Sequence, residues 1–299
     1  MRDFQSDFIE ANGQRIHVKT AGPDGAPVMV MLHGFPEYWA AWADVAARLA
    51  DRYRLILPDQ RGFNLSSKPE GVEAYETKHM VADLDDLMDT LAPNQTFILC
   101  GHDWGASVAY AYAMRHAQRV SHLIIANGVH PICFQKALYA GGPQTDASQY
   151  MNVLRTPGIE SRMAENGYRR LLNMFEKFSA APWLNERVKE QYRTVWSQDN
   201  AMETMLNWYR SSPMVVPESG SAPKALDITE AMREKYRITM PHLLLWGAND
   251  VALLPEANAD LDLFCDDLTR VAIDNGSHWL LHERPEVVAA AMLNWLDEG

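Results

Sequence analysis

The chain has 299 residues, with 27 Lys and Arg against 39 Asp and Glu for a formal charge of −12. Phosphate binding rests on a basic surface, so this acidic excess argues against nucleic acid as a partner. At 47% hydrophobic and 22% charged residues the composition is that of a folded globule rather than a disordered chain, long enough for one large domain or a core carrying an inserted module. Cys100, Cys133 and Cys265 are odd in number and far apart, which suits neither a disulfide framework nor a zinc site and makes a reducing compartment the default. The opening residues lack the apolar run of an export signal, and no stretch of about 18 apolar residues is free of charge. A cytoplasmic chain without a membrane partner is expected.

In chain order, Phe8 to Lys19 alternates on either side of Asn12-Gly13, a pair that tolerates the positive φ angles of a type I′ turn, and reads as a β-hairpin. Short apolar runs follow at Val28 to Leu32, Leu55 to Leu57, Phe97 to Cys100, Leu123 to Ala126, Leu243 to Trp246 and Val271 to Ile273. Runs without alternation suit strands buried on both faces of a mostly parallel sheet. Helical patterns between them, such as Trp42 to Leu49 and Met80 to Leu91, give the rhythm of an α/β fold. A last helix opens at Pro285 and places Val287, Val288, Ala291, Met292, Trp295 and Leu296 on one face.

That rhythm stops between residues 130 and 225, a stretch rich in Tyr and Trp at helical spacing. It reads as a helical cap, residues 130–225, inserted into a core formed by residues 1–129 and 226–299. Most of its rings belong to a second small core, yet a lid over a sheet is also a common way to build a dry pocket. The Pro- and Ser-rich segment 211–223 reads as the return linker.

The chemistry gathers at strand ends. Phe97 to Cys100 runs into Gly101-His102-Asp103-Trp104-Gly105 and then a helix of small residues. Strand, Gly-x-nucleophile-x-Gly, helix is the pattern of a nucleophile elbow, whose sharp turn raises the middle side chain above the sheet. Here that residue is Asp103, a carboxylate nucleophilic at neutral pH and suited to saturated carbon bearing a leaving group. Read alone, Asp103 could equally cap the following helix. His33-Gly34-Phe35-Pro36 follows another strand, so the backbone N–H groups of Phe35 and Trp104 can form an oxyanion hole. His278, in the loop before the closing helix, is the base. His282 is a weaker rival read as serving the start of that helix, and His102 and His130 are read as packed or solvated. Asp250, after Leu243 to Trp246, orients the base. Asn127 occupies the other position for that acid, but an amide cannot stabilise an imidazolium as a carboxylate does. Asp59 is read as the ion-pair partner of Arg61.

On His33-Gly-Phe-Pro-Glu-Tyr-Trp, Asp59-Gln-Arg-Gly-Phe, Gly101-His-Asp-Trp-Gly-Ala and Leu206-Asn-Trp-Tyr-Arg, the chain resembles the epoxide hydrolases of the α/β-hydrolase superfamily, nearly end to end. The resemblance implies an α/β-hydrolase fold with an inserted cap, and two cap tyrosines that hold the epoxide oxygen. Tyr209 is similar to one of them. Tyr150 is taken for the other because it precedes Pro157-Gly158 as the family tyrosine precedes its Pro-Gly, with Tyr139 and Tyr168 as fallbacks. It implies a small apolar epoxide and water as substrates, a pocket lined by Phe35, Trp104, His130 and Trp279, no metal or cofactor, and a monomer or homodimer.

Two other functions compete. Haloalkane and haloacid dehalogenases use the same Asp, His, Asp apparatus. Haloalkane enzymes, however, typically place a halide-binding Asn where Phe35 stands, and fluoroacetate enzymes typically place Arg where Trp104 stands. A ligand-binding homologue without turnover would not require the whole apparatus.

Overall fold

The computed structural model describes residues 4–298; Met1 to Asp3, where the N-terminal reading begins, and Gly299 lie outside them. The hairpin comes first: β1 (Gln5–Ala11) and β2 (Gln14–Ala21) pair antiparallel across Asn12 and Gly13. Their φ values of 50° and 70° are those a type I′ turn demands. Each apolar run becomes a strand: β3 (Val28–Leu32), β4 (Arg54–Pro58), β5 (Phe97–His102), β6 (Val120–Ala126), β7 (His242–Gly247) and β8 (Leu268–Ile273). Among the described residues they form one eight-stranded sheet in the order β1-β2-β4-β3-β5-β6-β7-β8. β2 joins β4 antiparallel and every later pairing is parallel.

The lack of alternation in the strand sequences has a direct cause. Val28, Val30 and Leu32 of β3 belong to one apolar cluster, while Met29 and Met31 belong to another on the opposite face. Phe97 and Leu99 of β5 divide from Ile98 and Cys100 in the same way. Helices α1 (Ala43–Leu49) and α12 (Pro285–Glu298) close one face through Val45, Leu49, Val288 and Met292. On α12 the buried residues are Pro285, Val288, Ala289 and Met292; Val287, expected among them, is exposed. Helices α2 (Thr77–Leu91) and α3 (Trp104–Arg115) cover the other face. Cutting a central residue such as Leu99 to Ala costs about 2–5 kcal/mol.

Between β6 and β7 run α4 (Pro131–Tyr139), α5 (Pro143–Ala147), α6 (Gln149–Leu154), α7 (Ile159–Lys177), α8 (Glu186–Trp196), α9 (Ala201–Ser211) and α10 (Glu230–Lys235); α11 (Leu280–Glu283) precedes α12. A left-handed turn at Asn166, Gly167 and Tyr168 splits α7 into two pieces. Phe134, Met151, Phe175, Trp196 and Trp208 of these helices join the cluster on the α2–α3 face, so the inserted helices pack on the same side as the nucleophile elbow. Among the described residues no helix is long and apolar enough to cross a membrane.

One expected ion pair is absent. Arg61 donates from Nε to Asp83 Oδ2 at 2.6 Å and from Nη1 to the Ala74 carbonyl at 2.7 Å. Asp59 is fully buried and takes its donors elsewhere: His17 Nδ1 at 2.6 Å, the Trp39 N–H at 2.9 Å and Asn64 Nδ2 at 2.8 Å. A buried carboxylate needs close donors; β2 and the segments at Trp39 and Asn64 supply three, leaving the Arg61 fork for Asp83.

Candidate active site

Asp103 stands between β5 and α3 at φ 51°, ψ −119°, a conformation costing a non-glycine residue on the order of 1–3 kcal/mol. Close packing holds it there. A Cβ on Gly105 would lie 2.2 Å from the Leu32 carbonyl oxygen, and one on Gly34 would lie 2.3 Å from Asp103 Oδ1. Only glycine lets the elbow sit this deep. The bare backbone at Gly34 brings the next N–H, that of Phe35, to Asp103 Oδ1 at 2.7 Å. Trp104 is the first residue of α3, so its N–H is among those with no acceptor inside the helix. His33 holds the turn as a neutral ring: burial lowers its pKa, and its Nε2 accepts from the Gln60 N–H at 3.1 Å.

The second carboxylate oxygen of Asp103 faces His278 Nε2 at 3.6 Å, and His278 Nδ1 lies 2.8 Å from Asp250 Oδ2. The other Asp250 oxygen accepts the N–H groups of Ala252 and Leu253 at 2.8 and 2.9 Å, which fixes the carboxylate and thereby the imidazole tautomer. Burial alone would depress the His278 pKa. The charges of Asp250 and then Asp103 outweigh it and hold the ring up at about 10. The two neighbouring carboxyl groups thus favour the protonated form of the resting imidazole. Asn127 is a brace: Nδ2 donates to the Ser277 carbonyl at 2.6 Å and Oδ1 accepts the Gly247 N–H at 2.7 Å, tying the end of β7 to the loop that carries His278.

Above Asp103 lies a cavity of about 140 Å³, lined by Asp103, Trp104, Val129, Phe134, Tyr150, Met151, Tyr209, Met214 and Leu253 among others. Tyr209 on α9 meets Phe35 and Trp104 edge-on, each with ring centroids 5.0 Å away, and Tyr150 on α6 meets Tyr209 at 6.3 Å. Burial raises the pKa of both phenols. The Asp103 charge raises Tyr150 further, and Tyr150 and then Asp103 do the same for Tyr209. Both hydroxyls are neutral donors across the physiological range.

The other expected positions divide. Phe35 contributes its N–H and packs on Tyr209, and Trp104 lines the cavity, but His130 and Trp279 do not line it. His130 stacks on Phe264 at 4.3 Å and bonds the Tyr236 carbonyl at 3.0 Å, because the entry to α4 turns it into the core. Trp279, the neighbour of His278, points the opposite way and packs edge-on against Phe175 at 4.6 Å. Tyr139 and Tyr168 also stay away from the cavity. Sequence reasoning missed Phe134 and Met214. Met214 sits in the segment read as a linker, where Met214-Val215-Val216 was the apolar signal. It also missed a polar group beneath the site. Buried Glu37 accepts from Tyr192 Oη at 2.8 Å and pairs with His282 Nε2 at 2.6 Å. His102 bonds the His278 carbonyl at 2.8 Å. His282 stacks on Trp183 at 4.0 Å, so it faces the inserted helices rather than the α12 start.

Comparison with known proteins agrees with this architecture. The profile of the alpha/beta hydrolase fold family matches residues 27–285. An AB hydrolase superfamily protein of Bacillus subtilis, YfhM, is 32% identical over 99% of both chains. A structure from work on novel epoxide hydrolases of this superfamily, found in metagenomes from hot environments, superposes with a TM-score of 0.86 at 35% identity over 99% of both chains. The Bacillus megaterium epoxide hydrolase in complex with an inhibitor gives 0.85 at 26% identity, covering 97% of this chain and 100% of that one. The resemblance first carried by four short motifs therefore extends over the whole molecule, and the chain belongs to the α/β-hydrolase superfamily, among proteins named epoxide hydrolases.

Proposed function

We propose that the protein opens an epoxide to a vicinal diol through an ester on Asp103. One observation carries this reading: a carboxylate with one oxygen held by a backbone N–H and the other free sits beneath two buried, neutral phenols in an apolar cavity. Oδ2 of Asp103 attacks a ring carbon. The breaking C–O bond leaves an alkoxide, a stronger base than phenolate, so Tyr150 and Tyr209 bind the ring oxygen first and protonate it as the bond opens. Halide needs no such proton, which is why the paired tyrosines favour an epoxide over a haloalkane.

Ester formation removes the Asp103 charge, one of the two that hold the His278 proton. The imidazole then loses that proton more readily, restoring the one spent by the tyrosine, and becomes a free base aligned by Asp250. Water deprotonated by His278 attacks the ester carbon. The tetrahedral oxyanion, formed on the former Oδ1, falls to the N–H of Phe35 and that of Trp104. Its collapse breaks the bond to the substrate oxygen, which leaves as the diol with the proton of the newly added hydroxyl, and restores the Asp103 carboxylate beside a protonated His278. Residues 130–225 act as the cap that excludes bulk water and carries both tyrosines.

A cavity of about 140 Å³ is close to one that holds a benzene-sized molecule, so the substrate class is a small, apolar epoxide with one compact substituent. Purified protein should convert styrene oxide to its diol while releasing little bromide from a bromoalkane of similar size. Bromide release without diol from any of several small epoxides overturns the proposal.

A further inference from the structure

A second Ser, His and Asp arrangement lies outside the cavity lining, on the outermost hairpin. Ser6 Oγ is 2.8 Å from His17 Nε2, and His17 Nδ1 is 2.6 Å from Asp59 Oδ2. Asp59 is fully buried, His17 is 1% exposed, and Ser6 is exposed on the edge strand β1. We infer that Ser6, His17 and Asp59 form a second nucleophilic site, with Ser6 as an activated hydroxyl that attacks the carbonyl carbon of small, activated esters.

The protonation pattern follows from the donors. Two of the groups donating to Asp59, the Trp39 N–H and the Asn64 amide, have no other ionisation state, so they favour the carboxylate. With Nδ1 placed to donate to Asp59 Oδ2, the tautomer that serves as a base presents the Nε2 lone pair to Ser6 Oγ. The main chain that carries the ring is fixed as well, because the His17 backbone N–H donates to Ser66 Oγ at 2.9 Å and the His17 carbonyl accepts the Asp59 N–H at 2.9 Å. Nucleophile, base and orienting acid thus stand at hydrogen-bonding distance in the order that activates a serine.

The edge position supplies the remaining parts. Among the described residues β1 ends the sheet, and no strand of the ladder pairs with its outer side. The N–H of Phe8 is turned off that side and taken by the Asp7 carboxylate at 2.8 Å. In an antiparallel ladder alternate residues share a direction, which turns the Ser6 N–H outward as well, where it can donate to an oxyanion formed on Ser6. Lys19 is the cross-strand partner of Ser6 and adds positive charge on the same face. Ser6 also borders a surface cleft of about 320 Å³, whose lining includes Asp7, Ile9, Val18 and Arg54, wide enough for a small ester that is selected by electrophilicity more than by shape.

The reaction balances without a further reagent. The Ser6 proton passes to His17 Nε2 as Oγ bonds to the ester carbon. The bond to the alcohol breaks, and the proton leaves with that alcohol. Water then repeats the sequence on the acyl-serine, giving the carboxylic acid and free Ser6.

The test uses the full-length Asp103→Ala protein, which removes the nucleophile of the cavity. It is exposed briefly to p-nitrophenyl acetate, or to a fluorophosphonate, and mapped by peptide mass spectrometry. The exposed Ser161 on α7 is the internal reference for an unassisted hydroxyl. General-base assistance is worth roughly 10²-fold or more, so Ser6 should be modified at least about a hundredfold faster than Ser161, and Ser6→Ala should abolish the fast phase of p-nitrophenolate release. Modification of Ser6 no faster than Ser161, or a fast phase that survives Ser6→Ala, overturns the inference and leaves the three residues as a brace for the hairpin. Epoxide turnover enters neither outcome, so this test stands or falls independently of the proposed function.

Discussion

The backbone N–H of Phe35 donates to one carboxylate oxygen of Asp103 at 2.7 Å, and this bond makes the two oxygens unequal. The held oxygen cannot approach substrate without losing its donor. The other faces His278 at 3.6 Å, too long for a strong bond, and is free to attack. After esterification the held oxygen becomes the ester carbonyl, already in the place where a tetrahedral oxyanion needs a donor. One geometry thus serves both halves of the proposed reaction.

Gly34 is what permits that bond. A methyl group there would lie 2.3 Å from Asp103 Oδ1, so Gly34→Ala should move the nucleophile off the Phe35 N–H. The expected result is a kcat lower by about 10²-fold, the scale of losing an oxyanion donor, with a stability loss of about 1–3 kcal/mol from overpacking. Stopped-flow kinetics and chemical denaturation measure the two separately; an unchanged kcat contradicts the assignment of Phe35.

The two phenols should be separable by kinetics. Removing one hydroxyl, in Tyr150→Phe or Tyr209→Phe, is expected to lower the rate of ring opening by about 10²-fold in a single-turnover experiment, while melting temperature changes little. The double variant should lose far more. Should Tyr150→Phe open the ring at the wild-type rate, Tyr150 leaves the site and Tyr209 acts alone.

Without its base the second half-reaction should stall. In His278→Gln, Asp103 keeps its holding N–H and can still attack, so intact-protein mass spectrometry should find the enzyme heavier by one substrate. A His278→Gln protein that stays at its own mass while substrate is consumed excludes the base role.

The His278 proton gives a pH signature. Its folded-state pKa is raised from 6.5 to about 10, against burial, by Asp250 and Asp103. A raised pKa means the proton is bound more tightly in the folded chain, so this contribution to stability is complete below about pH 6.5 and is lost as pH rises towards 10. Nitrogen NMR of His278 should show a ring protonated through neutral pH in the wild type and a lower pKa in Asp103→Asn. An identical pKa in both proteins denies the coupling between the ester step and the release of the base.

The sequence carried the sheet well because its strands are buried on both faces: Val28 to Leu32 is apolar at every position for that reason, and no amphipathic helix produces such a pattern. The site was legible where backbone geometry demands particular residues, as at Gly34 and Gly105 around Asp103. It was less legible where tertiary packing decides direction. Nothing local says that Trp279 turns away from the cavity while its neighbour His278 turns toward Asp103, or that His130 packs on Phe264. The partner of Asp59 was misjudged because Arg61 is its neighbour in sequence, whereas His17 reaches it only through the β2–β4 pairing. The Glu37 to His282 contact spans most of the chain and has no local signature.

The most direct test of the central claim is a single turnover in ¹⁸O-water with enzyme in excess over epoxide. If Asp103 forms the ester, the oxygen added to the first diol comes from its carboxylate and is unlabelled, while ¹⁸O appears in the peptide containing Asp103. Label in the first diol, with an unlabelled Asp103 peptide, means that water opened the ring directly and contradicts the covalent mechanism.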